Sequence, residues 1–399
     1  MLSNRRIYLD YGASTPTDPE VVRAMQPYFL EKYGNASSIH SFGQEAKEAM
    51  EQSRAKIAEK LGAKPEEIYF TSGGTESNNW ALKCCAFVNK DKGKHVIVSK
   101  IEHDCVLRGA KWLEKQGFEV TYLGVDPEGF VRPEDLKSAL RKDTVFVSII
   151  HGNNEIGTIQ DLDELGKICK DHGVLFHTDA CQSFTKVSLD VSKTPVDLIT
   201  INAHKIYGPK GVGALYARSD TKIGCWQHGG GHERDKRSGT ENIPGIVGFA
   251  KAVEIMKPAH IEQMAKTRDL LIKGVEDNIE DYQLNGPKDK SKKLCNNANF
   301  CFGGIEGEAI VLKLDGMGIA ASTASACSSH TLETSHVLKA IGLPDEISHG
   351  SMRLTTGKGT STGDIKKTIE ALKKTVVDLR KMSPIAKLKC FKEEMKENV

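Results

Sequence analysis

The sequence predicts an α/β protein with a large, mainly parallel, seven-stranded sheet and a smaller α+β unit. Three observations carry that prediction. First, seven short apolar runs punctuate the chain: Glu67–Thr71, His95–Ser99, Glu119–Leu123, Thr144–Ile150, Val174–Thr178, Leu198–Ile201 and Gly213–Ala217. Several are apolar at every position, as strands covered on both faces are. Second, helical stretches lie between them, for example Val106–Gln116, Pro133–Arg141 and Asp161–Lys170. Strand–helix alternation of this kind builds a doubly wound sheet. Third, the pattern changes beyond about residue 262, where Asn297–Phe302, Ile319–Ala321 and Ser351–Thr355 read as strands of a second unit.

In chain order, Ile7-Tyr8-Leu9 reads as a strand that packs onto the smaller unit, and Ser41–Leu61 as a helix flanking the main sheet. The stretch Pro244–Ile279 bridges the two units. Pro244 suits a first helical turn, whereas Pro258 removes a donor mid-stretch and should kink or break the helix there. The expected division is a large domain over 15–262 and a small domain from 1–14 and 263–399, which carries a mobile loop at about 322–334. In the tail, Ser383–Val399, lysines alternate with glutamates, as on a solvated helix end.

Composition narrows the function classes. Of 399 residues, 39% are hydrophobic and 27% charged, as in a globular enzyme. A net charge of +2 gives no electrostatic footprint for nucleic acid or an anionic membrane. The ten cysteines form no C-x-x-C pair, which argues against zinc ribbons and thioredoxin-like motifs and for a reducing compartment. His228 and His232 have ligand-like spacing, but with no cysteine pair the segment reads as a glycine-rich loop, and no metal is expected. No signal core, transit-peptide composition or membrane-spanning run is visible, so a cytoplasmic protein is expected.

The chemistry sits at strand ends. Phe70–Asn78 runs from a strand through Gly73 and Gly74 to a helix start, where backbone amides and the Thr75 hydroxyl suit an anion. The nucleotide-loop pattern G-x-x-x-x-G-K-[ST] is absent, which favours a cofactor monophosphate over a nucleotide. Asp179 ends an apolar strand and needs a cation, such as a protonated pyridine nitrogen; Gln182 stands three residues on. Asn202-Ala203-His204-Lys205 follows another strand and places an amine where its pKa can fall and a carbonyl can be attacked. Phosphate turn, Asp-x-x-Gln and His-Lys, in this order along one sheet, predict pyridoxal 5'-phosphate (PLP). His103 and Asn154 also follow strand ends and are candidates for the same cofactor. Thr323–His330 is small and polar around Cys327, as in a loop with an exposed nucleophilic thiol.

At these residues the chain resembles the cysteine desulfurases of the NifS/IscS type, in the aspartate-aminotransferase-like (fold type I) PLP superfamily. The resemblance runs from Tyr8–Ala13 to about Pro384. Its sharpest pieces are Tyr33–Ser38, Thr71–Thr75, Asn153–Gly157, Asp179–Gln182, His204–Gly211, Gly229–Thr240 and Ser325–Ser328. It implies conversion of L-cysteine to L-alanine, with sulfur carried as a persulfide on Cys327. Lys205 resembles the Schiff-base lysine, and His103 the stacking acid/base. Asp179 resembles the pyridine-nitrogen partner and Gln182 the ring-oxygen partner. Asn154 resembles a cofactor contact. Thr75 and His204 resemble phosphate ligands near the Gly74 amide. Arg353 resembles the arginine that pairs with the substrate carboxylate, with Asn35 beside it. Thr240 resembles a residue that reaches the phosphate of the other subunit, which implies a homodimer. Ser325-Ala326-Cys327-Ser328-Ser329 is similar to the longer of the family's two catalytic loops. The resemblance further implies sulfur-acceptor proteins, such as an iron–sulfur scaffold or tRNA-thiolation proteins. Two departures stand out: Asn202 occupies a position usually Ser or Thr, and its amide can still donate to a phosphate; His330 is not expected near the nucleophile. A selenocysteine lyase is the alternative built on the same residues.

Overall fold

The computed structural model describes residues 6–323 and 334–383. Seven strands form one sheet in the spatial order Ile68–Thr71, Gly213–Ala217, Leu198–Asn202, Leu175–Asp179, Thr144–Ser148, His95–Ser99 and Glu119–Leu123. Only Gly213–Ala217 runs against the rest, pairing antiparallel with both neighbours. The other pairings are parallel.

Both faces of the sheet are covered, which is why its strands read as unbroken apolar runs. Ile97, Val147, Phe176, Ile199 and Ile201 pack into one core with helices Ser41–Leu61 and Ile243–Ile255. Val96, Val98, Phe146, Leu198 and Leu215 pack the other way, against Trp80, Leu82, Val106 and Leu113. Successive residues of a strand thus feed opposite cores, as the two-residue period of a strand requires.

Helix Ser41–Leu61 begins at His40, whose ring accepts from the Gly43 amide, and ends at Gly62 in the left-handed region at φ 66°. The expected Pro244–Ile279 stretch is two helices, Ile243–Ile255 and Pro258–Asn278, with Pro258 starting the second rather than bending the first. A second, three-stranded antiparallel sheet has the order Ser351–Thr355, Asn297–Phe302, Tyr282–Asn285. Its core of Phe300, Phe302, Met352 and Leu354 packs with Leu271, Val275 and Leu372. The chain start joins this part: Ile7–Tyr8 pairs in parallel with Ile319–Ala320. No helix among the described residues is long and apolar enough to cross a membrane.

Candidate active site

Five strands of the large sheet deliver their C-terminal ends to one cleft, the place where α/β sheets bind ligands. The cleft has a volume of about 390 Å³. Gly74 and Thr75 come from the turn after Ile68–Thr71, and His103 from the segment after His95–Ser99. Asn154 follows Thr144–Ser148; Asp179 and Gln182 end and follow Leu175–Asp179. Asn202, His204 and Lys205 close Leu198–Asn202. Arg353 enters from the three-stranded sheet.

Lys205 donates to the carbonyls of Gly12 and, at 2.7 Å, Ala13. No carboxylate balances its charge at hydrogen-bond distance among the described residues. Burial, aided by the nearby Arg353 charge, lowers its pKa to about 8. His204 is lowered by burial and by Lys205 to about 4, so its ring is neutral at pH 7. Asp179 is only 5% exposed. It accepts from Asn78 Nδ2 at 2.6 Å and from the Cys181 amide at 2.8 Å, and no cation pairs with it among the described residues. Gln182 Nε2 donates to the Gly12 carbonyl at 2.8 Å. Arg353 Nη2 meets Asp10 at 2.9 Å and Nη1 the Asn154 carbonyl at 3.1 Å, while its Nε is buried without a partner.

These features fit a PLP-sized aromatic aldehyde phosphate. Asn202 Oδ1, Asn78 Oδ1 and Arg353 Nε are orphaned polar atoms at the cleft, and buried polar groups of this kind call for partners. A Cβ at Gly74 would lie 2.6 Å from Cys181 Sγ and 3.4 Å from Asn202 Nδ2, so only glycine leaves this approach open. A lysine pKa near 8 leaves a usable fraction of neutral amine, and Asp179 supplies a carboxylate with no cation of its own.

The structure does not bring Asn35 or Thr240 into the cleft lining. Asn35 is exposed and accepts from the Ser37 amide at 2.9 Å, and Thr240 is exposed. Cys327 and His330 lie outside the described residues. Sequence reasoning missed Asn78, Glu155, Ser335 and His336, which also line the cleft. Only His336 carried a usable signal, a histidine directly after a serine suited to cap a helix.

Residues 7–365 match the family model for aminotransferase class V, and the chain belongs to that family. Its full-length relatives there are cysteine desulfurases. It is 52% identical over 397 residues to the cysteine desulfurase IscS of Dictyoglomus turgidum, covering 99% of each chain. It is 50% identical over 386 residues to that of Methanosarcina thermophila, covering 96% of this chain and 95% of the other. Among solved structures, a NifS-like protein matches with a TM-score of 0.88 at 37% identity, over 94% of this chain and 100% of that one. SspA in complex with cysteine matches with a TM-score of 0.80 at 34% identity, over 89% and 100%. The NifS/IscS-type resemblance drawn from the motifs therefore holds at the level of the family and the fold.

Proposed function

We propose that the protein is a PLP-dependent cysteine desulfurase, a sulfurtransferase that turns L-cysteine into L-alanine and leaves the sulfur on Cys327 as a persulfide. The observation that carries this reading is the convergence of a depressed lysine, Lys205, a cation-free buried carboxylate, Asp179, and a partly unsatisfied arginine, Arg353, on one cleft.

Lys205, Asp179, Gln182, Asn154, His204, Thr75, Asn202 and the Gly74 amide are the groups that hold PLP. Bound through Lys205, PLP supplies an electron sink that labilises the bonds at the α-carbon of the amino acid. Asp179 keeps the ring nitrogen protonated. Neutral His204 and Asn202 Nδ2 donate to the phosphate without adding charge. Arg353 binds the substrate carboxylate, with Asn35 supporting it when substrate is in place. Lys205, once free, takes and returns the α-proton, a role its pKa near 8 suits at neutral pH. His103 would serve the bound ring as an acid/base, and Cys327 would attack the substrate sulfur.

Thr240, exposed here, is assigned to the phosphate site of a second subunit, which makes the working form a homodimer. Sulfur then passes to acceptor proteins such as an iron–sulfur scaffold. The two-domain division at residues 15–262 and the cytoplasmic location belong to the same proposal. Alanine formation from L-cysteine with a thiol reductant tests it. The holoenzyme should form alanine and sulfide in equal amounts, and Lys205→Ala should form neither. No alanine from the holoenzyme, or a strong preference for selenocysteine, would contradict the reading.

A further inference from the structure

Three imidazoles line the cleft, those of His103, His204 and His336. Fixed hydrogen bonds put the proton of both His103 and His336 on Nε2 but leave a different nitrogen uncommitted in each. His103 caps helix Asp104–Lys115, and its Nδ1 accepts from the Cys105 amide at 3.2 Å. An amide N–H only donates, so neutral His103 carries its proton on Nε2. Cys105 Sγ lies 3.1 Å from the same Nδ1, a second group committed to that nitrogen. His336 begins helix His336–Ala340, and its Nε2 lies 2.9 Å from the Glu102 carbonyl oxygen. A carbonyl only accepts, so His336 carries its proton on Nε2 and keeps a lone pair on Nδ1.

The segment that sets both rings is itself fixed. The Glu102 carboxyl accepts from Ser99 Oγ and from the Ile150 amide, each at 2.6 Å. Ser335 caps the His336 helix and donates to the Glu155 carboxylate. Burial raises the Glu155 pKa; the charge of His336, and more weakly that of Arg353, opposes it, while Asp104 adds to it.

We propose that His336 is the residue that accepts the proton of the substrate thiol, and that His103 serves the cleft as proton donor; this rests on the desulfurase reading above. The S–H bond breaks, its electron pair stays on sulfur, and the proton passes to the Nδ1 lone pair of His336. The resulting imidazolium keeps its Nε2–H bond to the Glu102 carbonyl, and its charge is favoured by the nearby Glu155 carboxyl. His103 cannot take this role from its resting tautomer, because Nδ1 is held by a donor that cannot turn round.

The test uses the full-length holoenzyme and two variants. His336→Gln retains an amide N–H where Nε2 stands, and so keeps the Glu102 bond while removing the base. Its kcat for alanine formation should fall about 100-fold or more, with the cofactor absorbance and thermal midpoint unchanged. The acid limb of its pH profile should vanish, and added imidazole should restore part of the rate. His336→Asn, which leaves the Glu102 bond unmade, should fall at least as far. Nitrogen NMR of ¹⁵N-histidine-labelled protein, with His336 assigned by its absence in His336→Gln, should show Nδ1 unprotonated and Nε2 protonated. Full activity with an unchanged pH profile in His336→Gln, or a proton on Nδ1 in the resting wild type, would overturn the proposal. A wild-type holoenzyme that forms no alanine while its His336 tautomer is as described would instead fail the desulfurase reading.

Discussion

Gly74 is the position where the cleft is most sharply shaped by the absence of atoms. A methyl group there would sit 2.6 Å from Cys181 Sγ, about 0.8 Å inside the 3.4 Å at which ordinary contact begins. Cys181 cannot yield easily: it is buried next to Asp179, whose carboxylate holds the Cys181 amide. The strain of Gly74→Ala therefore falls on the helix start at Gly74–Thr75, which must retreat from the phosphate position. Forcing a methyl group into a packed site costs about 1–3 kcal/mol. Expressed as lost cofactor affinity, that is about 5- to 150-fold. The assay is PLP titration of the cofactor-free protein by absorbance, with wild type, Gly74→Ala, Cys181→Ala and the double variant. Cys181→Ala removes the sulfur that the methyl would strike, so the double variant should regain most of the affinity lost in Gly74→Ala. A double-variant loss equal to the sum of the two single losses would refute the steric reasoning, and a Gly74→Ala protein that binds PLP like wild type would refute the cradle itself.

Two further predictions concern buried titrating groups in the cofactor-free protein. Lys205 titrates near 8 when folded and at about 10.4 when unfolded; between these values the unfolded chain binds more protons, so this lysine's contribution to stability rises with pH. Lys205→Met should therefore melt higher than wild type at pH 7, with the gap closing towards pH 10, and thermal melts across that range check it. Burial raises the Glu102 carboxyl to about 8, and its Oε2 has no partner. Its folded pKa lies above the unfolded value of about 4.3, so the folded protein binds the extra proton and this carboxyl makes stability fall as pH climbs from 4.3 to 8. Glu102→Gln should remove that fall, so that the variant gains on wild type as pH rises to 8; parallel melting curves at pH 5 and pH 8 would contradict it.

Much of this fold is legible in the sequence because its strands are covered on both faces. His95–Ser99, Leu198–Asn202 and Gly213–Ala217 are buried at every position, so they announce themselves as apolar runs. Pro258 and Gly62 mark their helix boundaries by backbone chemistry alone. Tyr282–Asn285 escaped notice because it is an edge strand, short, polar and mostly half-buried. The turn of π-helix at Trp80–Cys84 escaped too, since one extra residue in an otherwise helical stretch leaves the apolar pattern almost unchanged.

The cleft shows the same divide. Asp179, Lys205 and the Gly73-Gly74 turn each sit at a strand end, so local reading finds them. Asn78 and Glu155 sit within or beside strand-end motifs but carry no chemistry that singles them out, whereas Ser335 and His336 reach the cleft only because distant elements fold together. The 2.9 Å contact between His336 and Glu102 spans 234 positions of sequence and has no local trace. Asn35 and Thr240 carry motif resemblance, yet neither lines this chain's cleft.

The most direct measurement follows the sulfur itself. The holoenzyme, mixed briefly with L-cysteine without reductant, is digested after thiol blocking, and the peptides holding the ten cysteines are weighed. The account predicts one added sulfur atom on the Cys327 peptide, its loss on adding reductant, and a Cys327→Ala protein that binds PLP yet forms no alanine. Alanine formation that survives Cys327→Ala, with no cysteine carrying extra sulfur, would contradict the claim that this thiol receives the sulfur.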